Sequence, residues 1–410
     1  MAESKTVRIE RLAPAGDGVA TAEAGPVYVP QALPAETWRA PDAEHAGWQL
    51  IAASPDRQAP PCRHFTRCGG CSAQHMGDRL YRQWKHDAVV RAFAAHGLAP
   101  DIAPLVAAAP QTRRRAVLTA RRRGGEVALG YHGAGTHTLV DLAECPVLEP
   151  PIVAAFPVLR EIARCAISDD GEVRLTVLRL SAGLDVSVET GKRDLGSRTR
   201  QALAEAAQAG PIQRLVVDDE IIVQRGPARI DVGGVEVEPP PGVFVQAVPS
   251  AEQRMIEEVV AAVGRARSVA DLFSGLGTFS FALARRARVL AVDGDRRAIE
   301  ALGAAVRAAT GLKPIEARVR DLFREPLSRK ELEPFEAVVL DPPRAGAKAQ
   351  AAMLAKSAVP TVVAVSCNPA TLARDVRLLV DGGYALGRVV AIDQFLWSGH
   401  VEVVAVLVKR

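Results

Sequence analysis

The sequence predicts a three-part α/β protein. Its C-terminal part is a doubly wound sheet with an antiparallel last pair of strands, preceded by a small N-terminal β-barrel and a mixed, β-rich centre. Three observations carry that prediction. From residue 243 onward, short apolar strands at 268–271, 289–292, 315–319, 337–340 and 361–365 alternate with helical stretches, the pattern of parallel strands joined by crossover helices. The last two strands, 389–392 and 401–408, have no helix between them and so pair antiparallel. Pro239-Pro240-Pro241-Gly242 is the sharpest break in the chain.

With 410 residues the chain has room for two or three domains of roughly 100–200 residues each. The boundaries read 1–54, 55–241 and 242–410. A hydrophobic fraction of 48% excludes disorder as the main state, and a net charge of +4 does not by itself indicate nucleic-acid binding. No window approaches the ~20 uninterrupted apolar residues of a membrane span, and the start, MAESKTVRIE, lacks the apolar core of a secretory signal. A cytoplasmic protein without membrane contact, acting as a monomer, is expected. Of six cysteines, three crowd into Cys62, Cys68 and Cys71, which points to metal ligation in a reducing compartment.

Taken in order, the first 54 residues are short apolar stretches (7–9, 25–29) broken by Ala13-Pro14-Ala15-Gly16-Asp17-Gly18, as in a small β module. Residues 59–72 hold too much Gly, Cys and Pro for a regular element. The spacing of Leu80, Trp84, Ala88, Val89 and Phe93 predicts a helix over 80–96, ended by Gly97. Residues 111–130 are two apolar stretches joined by Gly124-Gly125, a hairpin edged by six arginines, Arg113 to Arg115 and Arg121 to Arg123. A phosphate-binding surface and a solvated edge guarded by charge fit that text equally well. Strand-like text follows at 172–188 and 214–237.

In the C-terminal domain each apolar strand leads to a polar residue: Asp271, Asp293, Asp321, Asp341 and Cys367. In an open parallel sheet such residues share the carboxyl rim, where ligands bind. The first turn, Asp271-Leu272-Phe273-Ser274-Gly275-Leu276-Gly277-Thr278, brings backbone close to a ligand but lacks the third glycine of a dinucleotide fingerprint. With Asp293 about 20 residues on as a ribose partner, a cofactor with a ribose and no pyrophosphate fits best. Cys367 precedes a helix that Pro369 can start, where the helix dipole would lower the thiol pKa and favour a nucleophile; a small buried hydrophobe is the plainer role.

Asp341-Pro342-Pro343-Arg344 resembles the Asp-Pro-Pro-aromatic motif of amino-group methyltransferases, with Arg344 replacing the aromatic. An amine attacks with its own lone pair. Carbon 5 of a pyrimidine needs a thiolate added to carbon 6 first, and then a base to remove the carbon 5 proton. Cys367 and Glu402 are the candidates, against the plainer reading of Glu402 as an exposed strand residue.

With Asp341-Pro342-Pro343-Arg344-Ala345-Gly346, Ser366-Cys367-Asn368-Pro369 and Gly399-His400-Val401-Glu402 in order, the chain resembles the RNA 5-methyluridine methyltransferase family over nearly its whole length. The resemblance implies a Rossmann-like class I methyltransferase domain using S-adenosylmethionine, with Cys367 as nucleophile and Glu402 as base. It implies cofactor contacts at Gln246 (in Phe244-Val245-Gln246), Phe273, Thr278, Asp293, Asp321 and Asp341. Thr278 and Asp321 each stand where the family more commonly has Asn, and both keep an oxygen acceptor. Cys62, Cys68, Cys71 and Cys145 resemble the family's 4Fe-4S ligand set, although from the residues alone a zinc site with four thiolates reads equally well. Residues 8–17 resemble the start of a TRAM domain, an RNA-binding β-barrel. The expected substrate is a uridine in RNA, 23S ribosomal RNA favoured over transfer RNA, exposed in a loop or flipped out against Phe244, Phe395 or Trp397. Amino-group methylation is the same-class alternative; an RNA-binding protein without catalysis is the alternative of another class.

Overall fold

A computed structural model describes residues 6–42, 45–167, 170–191 and 195–410. Residues 1–5 and 43–44 of the expected N-terminal module, and 168–169 and 192–194 of the expected central domain, lie outside the described residues. Among the described residues no helix is long and apolar enough to cross a membrane.

The N-terminal module is two three-stranded antiparallel sheets, Thr6–Arg8, Thr37–Arg39 and Gln49–Ala52 in one, Arg11–Leu12, Gly18–Ala22 and Gly25–Val29 in the other. They close over Ile9, Ala20, Val29 and Ala32. Gly18 permits this closure, since a Cβ there would lie 2.7 Å from that of Ala32.

The central domain is one seven-stranded sheet in the order Leu139–Asp141, Glu126–His132, Arg115–Arg123, Gly171–Arg179, Leu184–Glu189, Ile212–Val217, Glu220–Gln224. Helices Phe156–Ala166 and Ser197–Gln208 cover one face through Phe156, Leu159, Ile162, Leu203 and Ala207. The predicted hairpin is present, and Gly124 (φ 56°) and Gly125 (φ 88°) supply the two left-handed residues that a tight two-residue turn needs. Its six arginines do not form one basic edge. Arg114 is buried against Glu252, Arg121 bonds Glu172, and Arg122 donates to the carbonyl of Ile167.

The C-terminal sheet has eight strands. In chain order its elements are α1 (Asp78–Ala94), β1 (Ile102–Val106), α2 (Pro249–Val263), β2 (Ser268–Leu272), α3 (Thr278–Ala284), β3 (Arg288–Asp293), α4 (Arg296–Ala308), β4 (Ile315–Val319), β5 (Ala337–Leu340), α5 (Lys348–Ala355), β6 (Thr361–Ser366), α6 (Pro369–Asp381), β7 (Tyr384–Ile392) and β8 (Glu402–Lys409). The strand order is β4-β3-β2-β5-β6-β8-β7-β1. All pairs are parallel except those made by β8, which runs antiparallel between β6 and β7. Ala270, Leu272, Val338 and Leu340 face α1 and α6, whereas Val269, Val339 and Val363 face α2 and α3. The sheet is therefore doubly wound with a reversed strand inserted, as the sequence predicts.

One boundary moves. Residues 78–106, expected in the central domain, belong to the catalytic core: β1 extends the sheet beside β7, and Val89, Phe93, Leu98, Ile102 and Leu105 pack into the same cluster as Leu372 and Val376 of α6. The chain thus enters the C-terminal domain, leaves it to build the central sheet, and returns with the hairpin Ile230–Val232 and Val235–Val237, which packs on Leu276, Phe281 and Leu302 ahead of the Pro-rich break.

Candidate active site

The turn expected to hold the cofactor follows β2. Phe273 (φ 64°), Gly275 (φ 54°) and Gly277 (φ 98°) are all left-handed, which reverses the chain within five residues. A Cβ on Gly277 would stand 2.8 Å from the ring of Phe281, so only glycine fits there. The Phe273 and Ser274 amides both donate to the carbonyl of Val292, locking the turn to β3. Asp293, at the end of β3, accepts from the Gly275 amide (2.9 Å) and the Asp295 amide (2.8 Å). Asp321 accepts from the Phe323 and Arg324 amides, and Phe323 packs on Phe273 with ring centroids 5.4 Å apart. Thr278 is the first residue of α3, beneath Gly277.

Asp271 is fully buried: Oδ2 accepts from the Ser280 hydroxyl at 2.5 Å, while Oδ1 has no partner. Burial raises its pKa to about 7. Asp341 follows β5 and is raised well above the usual carboxylate range, first by burial and then by the charges of Glu402, Asp271 and Asp293. Gln246 donates to Asp341 Oδ2 at 3.1 Å, and Arg114 fixes the Gln246 backbone by donating to its carbonyl.

Cys367 follows β6 directly. Ser366 pairs with Val403, so the antiparallel register continued by one residue sets Cys367 opposite Glu402. Asn368 caps α6 by accepting from the Ala370 amide, and the Asn368 amide group and the Thr371 hydroxyl both donate to the carbonyl of Arg344. The Asp-Pro-Pro-Arg loop and the Cys367 turn are thereby joined. The Arg344 guanidinium meets His400 Nε2 at 2.6 Å; burial and the Arg344 charge keep that imidazole neutral, so it accepts.

The expected fall in the Cys367 pKa is not found. Burial, then the nearby charges of Glu402 and Asp341, raise it to about 11, and these outweigh the Arg344 charge and the residue's own backbone amide. Glu402 is also not the exposed strand residue of the plainer reading. It is 4% exposed, raised by burial to about 7, and accepts from Gln394 at 2.6 Å.

Gln394, Asp393 and Lys85 were not singled out in the sequence. Asp393 and Gln394 follow the rule that marked the other rim residues, because β7 is parallel to β6 and its carboxyl end reaches the same rim, whereas Lys85 comes from α1. Asp393 is fully buried, bonded to Lys85 Nζ (2.5 Å) and the Tyr81 hydroxyl (2.5 Å), which ties the 393–398 loop to α1. Of the three stacking candidates, Phe244 is 65% exposed with the Arg115 guanidinium 5.9 Å from its ring centre, Phe395 stands edge-on to His400, and Trp397 is partly buried.

Cys62, Cys68, Cys71 and Cys145 are free thiols lining one cavity of about 340 Å³, together with Tyr131 and Phe395. Among the described residues no three His, Cys, Asp or Glu side chains stand close enough to hold a single metal ion. The donor set nevertheless suits a larger thiolate-bound group. The Gly70 amide points at Cys68 Sγ (3.4 Å), and the Val147 and Leu148 amides donate to Cys145, as thiolates require. Arg344 and His400 line the same cavity.

A sequence model of the tRNA (Uracil-5-)-methyltransferase family matches residues 210–410. An uncharacterized RNA methyltransferase of Rhizobium meliloti (strain 1021) is 47% identical over 98% of this chain and 99% of its own. The 23S rRNA (uracil(1939)-C(5))-methyltransferase RlmD of Halomonas elongata is 34% identical over 96% of this chain and 87% of its own. The chain belongs to the RNA (uracil-5-)methyltransferase family. It is an S-adenosylmethionine-dependent RNA methyltransferase. In fold, this methyltransferase is similar to the Pyrococcus abyssi tRNA (uracil-54, C5)-methyltransferase in complex with S-adenosyl-L-homocysteine, with a TM-score of 0.78, 23% identity, and 99% and 100% of the two chains covered.

Proposed function

We propose that this methyltransferase acts on carbon 5 of a uridine in RNA, with Cys367 as nucleophile and Glu402 as base. The observation that carries this is the placement of Cys367 opposite Glu402 on the rim that also holds Asp271, Asp293 and Asp341. S-adenosylmethionine supplies an electrophilic methyl group when bound; Gln246, Phe273, Thr278, Asp293, Asp321 and Asp341 are the residues that would hold it. The Cys367 thiol gives its proton to solvent, the thiolate Sγ adds to carbon 6, and the electron pair of the carbon 5–carbon 6 double bond moves onto the ring, which becomes an enolate nucleophilic at carbon 5. After carbon 5 takes the methyl group, Glu402 removes its proton, the C6–S bond breaks, and Cys367 leaves. Phe244, exposed two residues before Gln246, would stack on a flipped base.

The favoured substrate is 23S ribosomal RNA. The RlmD relative, matched along nearly the whole chain, supports it, and a TRAM-like role of the N-terminal module in RNA binding accords with it. A cytoplasmic site of action follows from such a substrate. Cys62, Cys68, Cys71 and Cys145 are proposed to hold a 4Fe-4S cluster, which suits a cavity better than one zinc ion with Zn–S bonds of about 2.3 Å. The cluster would tie the 62–71 loop to the central sheet; no step of methyl transfer needs it.

The test is methyl transfer from labelled S-adenosylmethionine to unmodified 23S rRNA and to unmodified transfer RNA, with nucleoside analysis. Label in 5-methyluridine of 23S rRNA supports the proposal. Label in transfer RNA alone overturns the substrate, and a methylated amino group overturns the reaction. Anaerobic purification with iron, sulfide and zinc analysis tests the cluster: stoichiometric zinc without iron would refute it.

A further inference from the structure

We propose that Gln394 is the positioning residue that ties down one oxygen of Glu402 and leaves the other free to take the carbon 5 proton. This rests on the reading of Glu402 as the base. Gln394 is buried, 1% exposed, and every polar group of its side chain is engaged. Its Oε1 accepts from the Ala247 amide at 3.1 Å. A backbone N–H can only donate, so the Gln394 amide cannot be turned round. Its NH2 group must then face two acceptors, Glu402 Oε1 at 2.6 Å and Gln246 Oε1 at 2.8 Å. That second bond orients Gln246 in turn, whose own NH2 donates to Asp341 Oδ2 at 3.1 Å.

The result is a directed chain of amides from the Ala247 backbone to two carboxylates. Both carboxylates accept hydrogen bonds from amide N–H donors, so the chain favours the ionised form of each. At the Glu402 end it engages Oε1 only: Oε2 is buried with no partner. An orphaned carboxylate oxygen in a nearly closed site is costly unless a substrate hydrogen comes to it. The neighbours of Gln394 hold the loop by other means, since Asp393 bonds Lys85 and Tyr81, and Ser72 and Ala73 donate to the carbonyl of Trp397. The loop is thus anchored independently of the Gln394 amide.

In the step that Gln394 serves, Glu402 Oε2 accepts the carbon 5 proton. The C–H electron pair becomes the second bond between carbons 5 and 6, and the C6–S pair departs on Cys367 as thiolate, which is then protonated from solvent. A Glu402 rotated about its carboxyl axis, or held neutral, would halt the reaction there, after the methyl group has already moved. The titratable groups that face Glu402 are Cys367 after β6 and Asp341 after β5; Gln246 and Gln394 are neutral.

Gln394→Met keeps length and burial but removes the amide; Gln394→Asn keeps the amide and withdraws it by one methylene. Each is assayed as the full-length protein beside wild type and Glu402→Gln, with unmodified 23S rRNA transcript and labelled S-adenosylmethionine. Thermal unfolding and S-adenosylhomocysteine binding are measured alongside. The expected result for Gln394→Met is a burst of one methyl group per enzyme and accumulation of a methylated, covalent protein–RNA adduct on denaturing gels. Steady-state turnover should fall about 100-fold, and the acid limb of adduct breakdown should move to higher pH, so that raising the pH restores part of the rate. Turnover within twofold of wild type with an unshifted pH profile, while Glu402→Gln traps the adduct, overturns the role of Gln394 alone. Loss of the burst itself with S-adenosylhomocysteine binding intact also overturns it. Free turnover by Glu402→Gln overturns the reading of the base, and the proposal with it. If Gln394→Met does not fold, Gln394→Asn decides on the same criteria.

Discussion

Cys367 stands opposite Glu402 because β8 is inserted antiparallel beside β6, one residue beyond the Ser366–Val403 pair. A sheet of parallel strands only could not bring the start of its last strand to this rim; the reversal delivers the first residue of β8 to the end of β6. The two residues should therefore fail differently. Cys367→Ala is expected to bind S-adenosylhomocysteine as wild type does and to transfer no methyl group. Glu402→Gln is expected to transfer one methyl group and remain bound to the RNA through Cys367. Gel-shift of the denatured protein with labelled RNA separates the outcomes; turnover by Cys367→Ala would falsify the covalent route.

The raised Cys367 pKa predicts a thiol that is quiet in the ligand-free protein. At pH 7 a group with a pKa of about 11 is almost wholly protonated. Iodoacetamide labelling of Cys367, read by peptide mass, should be slow at pH 7 and climb steadily towards pH 11. Since the Glu402 and Asp341 charges follow burial as causes, Glu402→Gln should speed labelling at pH 8. Fast labelling of the wild type at pH 7 would show instead that the helix end outweighs burial.

How far the sequence revealed this site depends on the kind of signal. Asp271, Asp293, Asp341 and Cys367 each follow an apolar strand, and strand order places them on one rim, so their convergence was legible from alternation alone. Gln394 follows a strand in the same way, but the antiparallel step between β7 and β8 hid which rim it reaches. Lys85 and Asp393 are paired across 308 positions, a relation that no local pattern contains. The apolar spacing of 80–96 revealed a helix; it could not reveal that Val89 and Phe93 pack on the catalytic sheet rather than the central one. Charge misled twice. Arg114 read equally as part of a phosphate-binding surface or of a solvated edge and is buried against Glu252, and the thiol was read from the helix dipole when burial is the largest cause of its shift.

Asp271 should make the ligand-free protein less stable as pH rises. Its folded pKa of about 7 exceeds the ordinary value of 3.8, so the native state holds a proton that the unfolded chain releases. The stabilisation is complete below about pH 4 and is lost as pH rises through 7, a change of order 4 kcal/mol at most. Glu402, raised from 4.5 to about 7, adds a slope of the same sign. In urea titrations between pH 5 and 8, Asp271→Asn should flatten the decline without abolishing it, the remainder belonging to Glu402 and Asp341, whose pKa values are also raised. A wild-type stability that increases over this range would exclude a protonated Asp271.

Lys85 and Asp393 form a buried pair, 1% and 0% exposed, at the base of the loop that carries Gln394 and Phe395. The Tyr81 hydroxyl and the Phe395 amide also donate to Asp393, so its carboxylate is fully engaged. Removing only the cation leaves an uncompensated charge in an apolar interior, which typically costs about 3–5 kcal/mol. Lys85→Met should lose that much in urea unfolding. In Lys85→Met/Asp393→Asn the side chain still offers an oxygen to its donors but carries no charge, so the double variant should recover part of the loss. Recovery separates the charge penalty from the packing of the Lys85 stem; a double variant no more stable than Lys85→Met would assign the whole cost to packing between α1 and the loop.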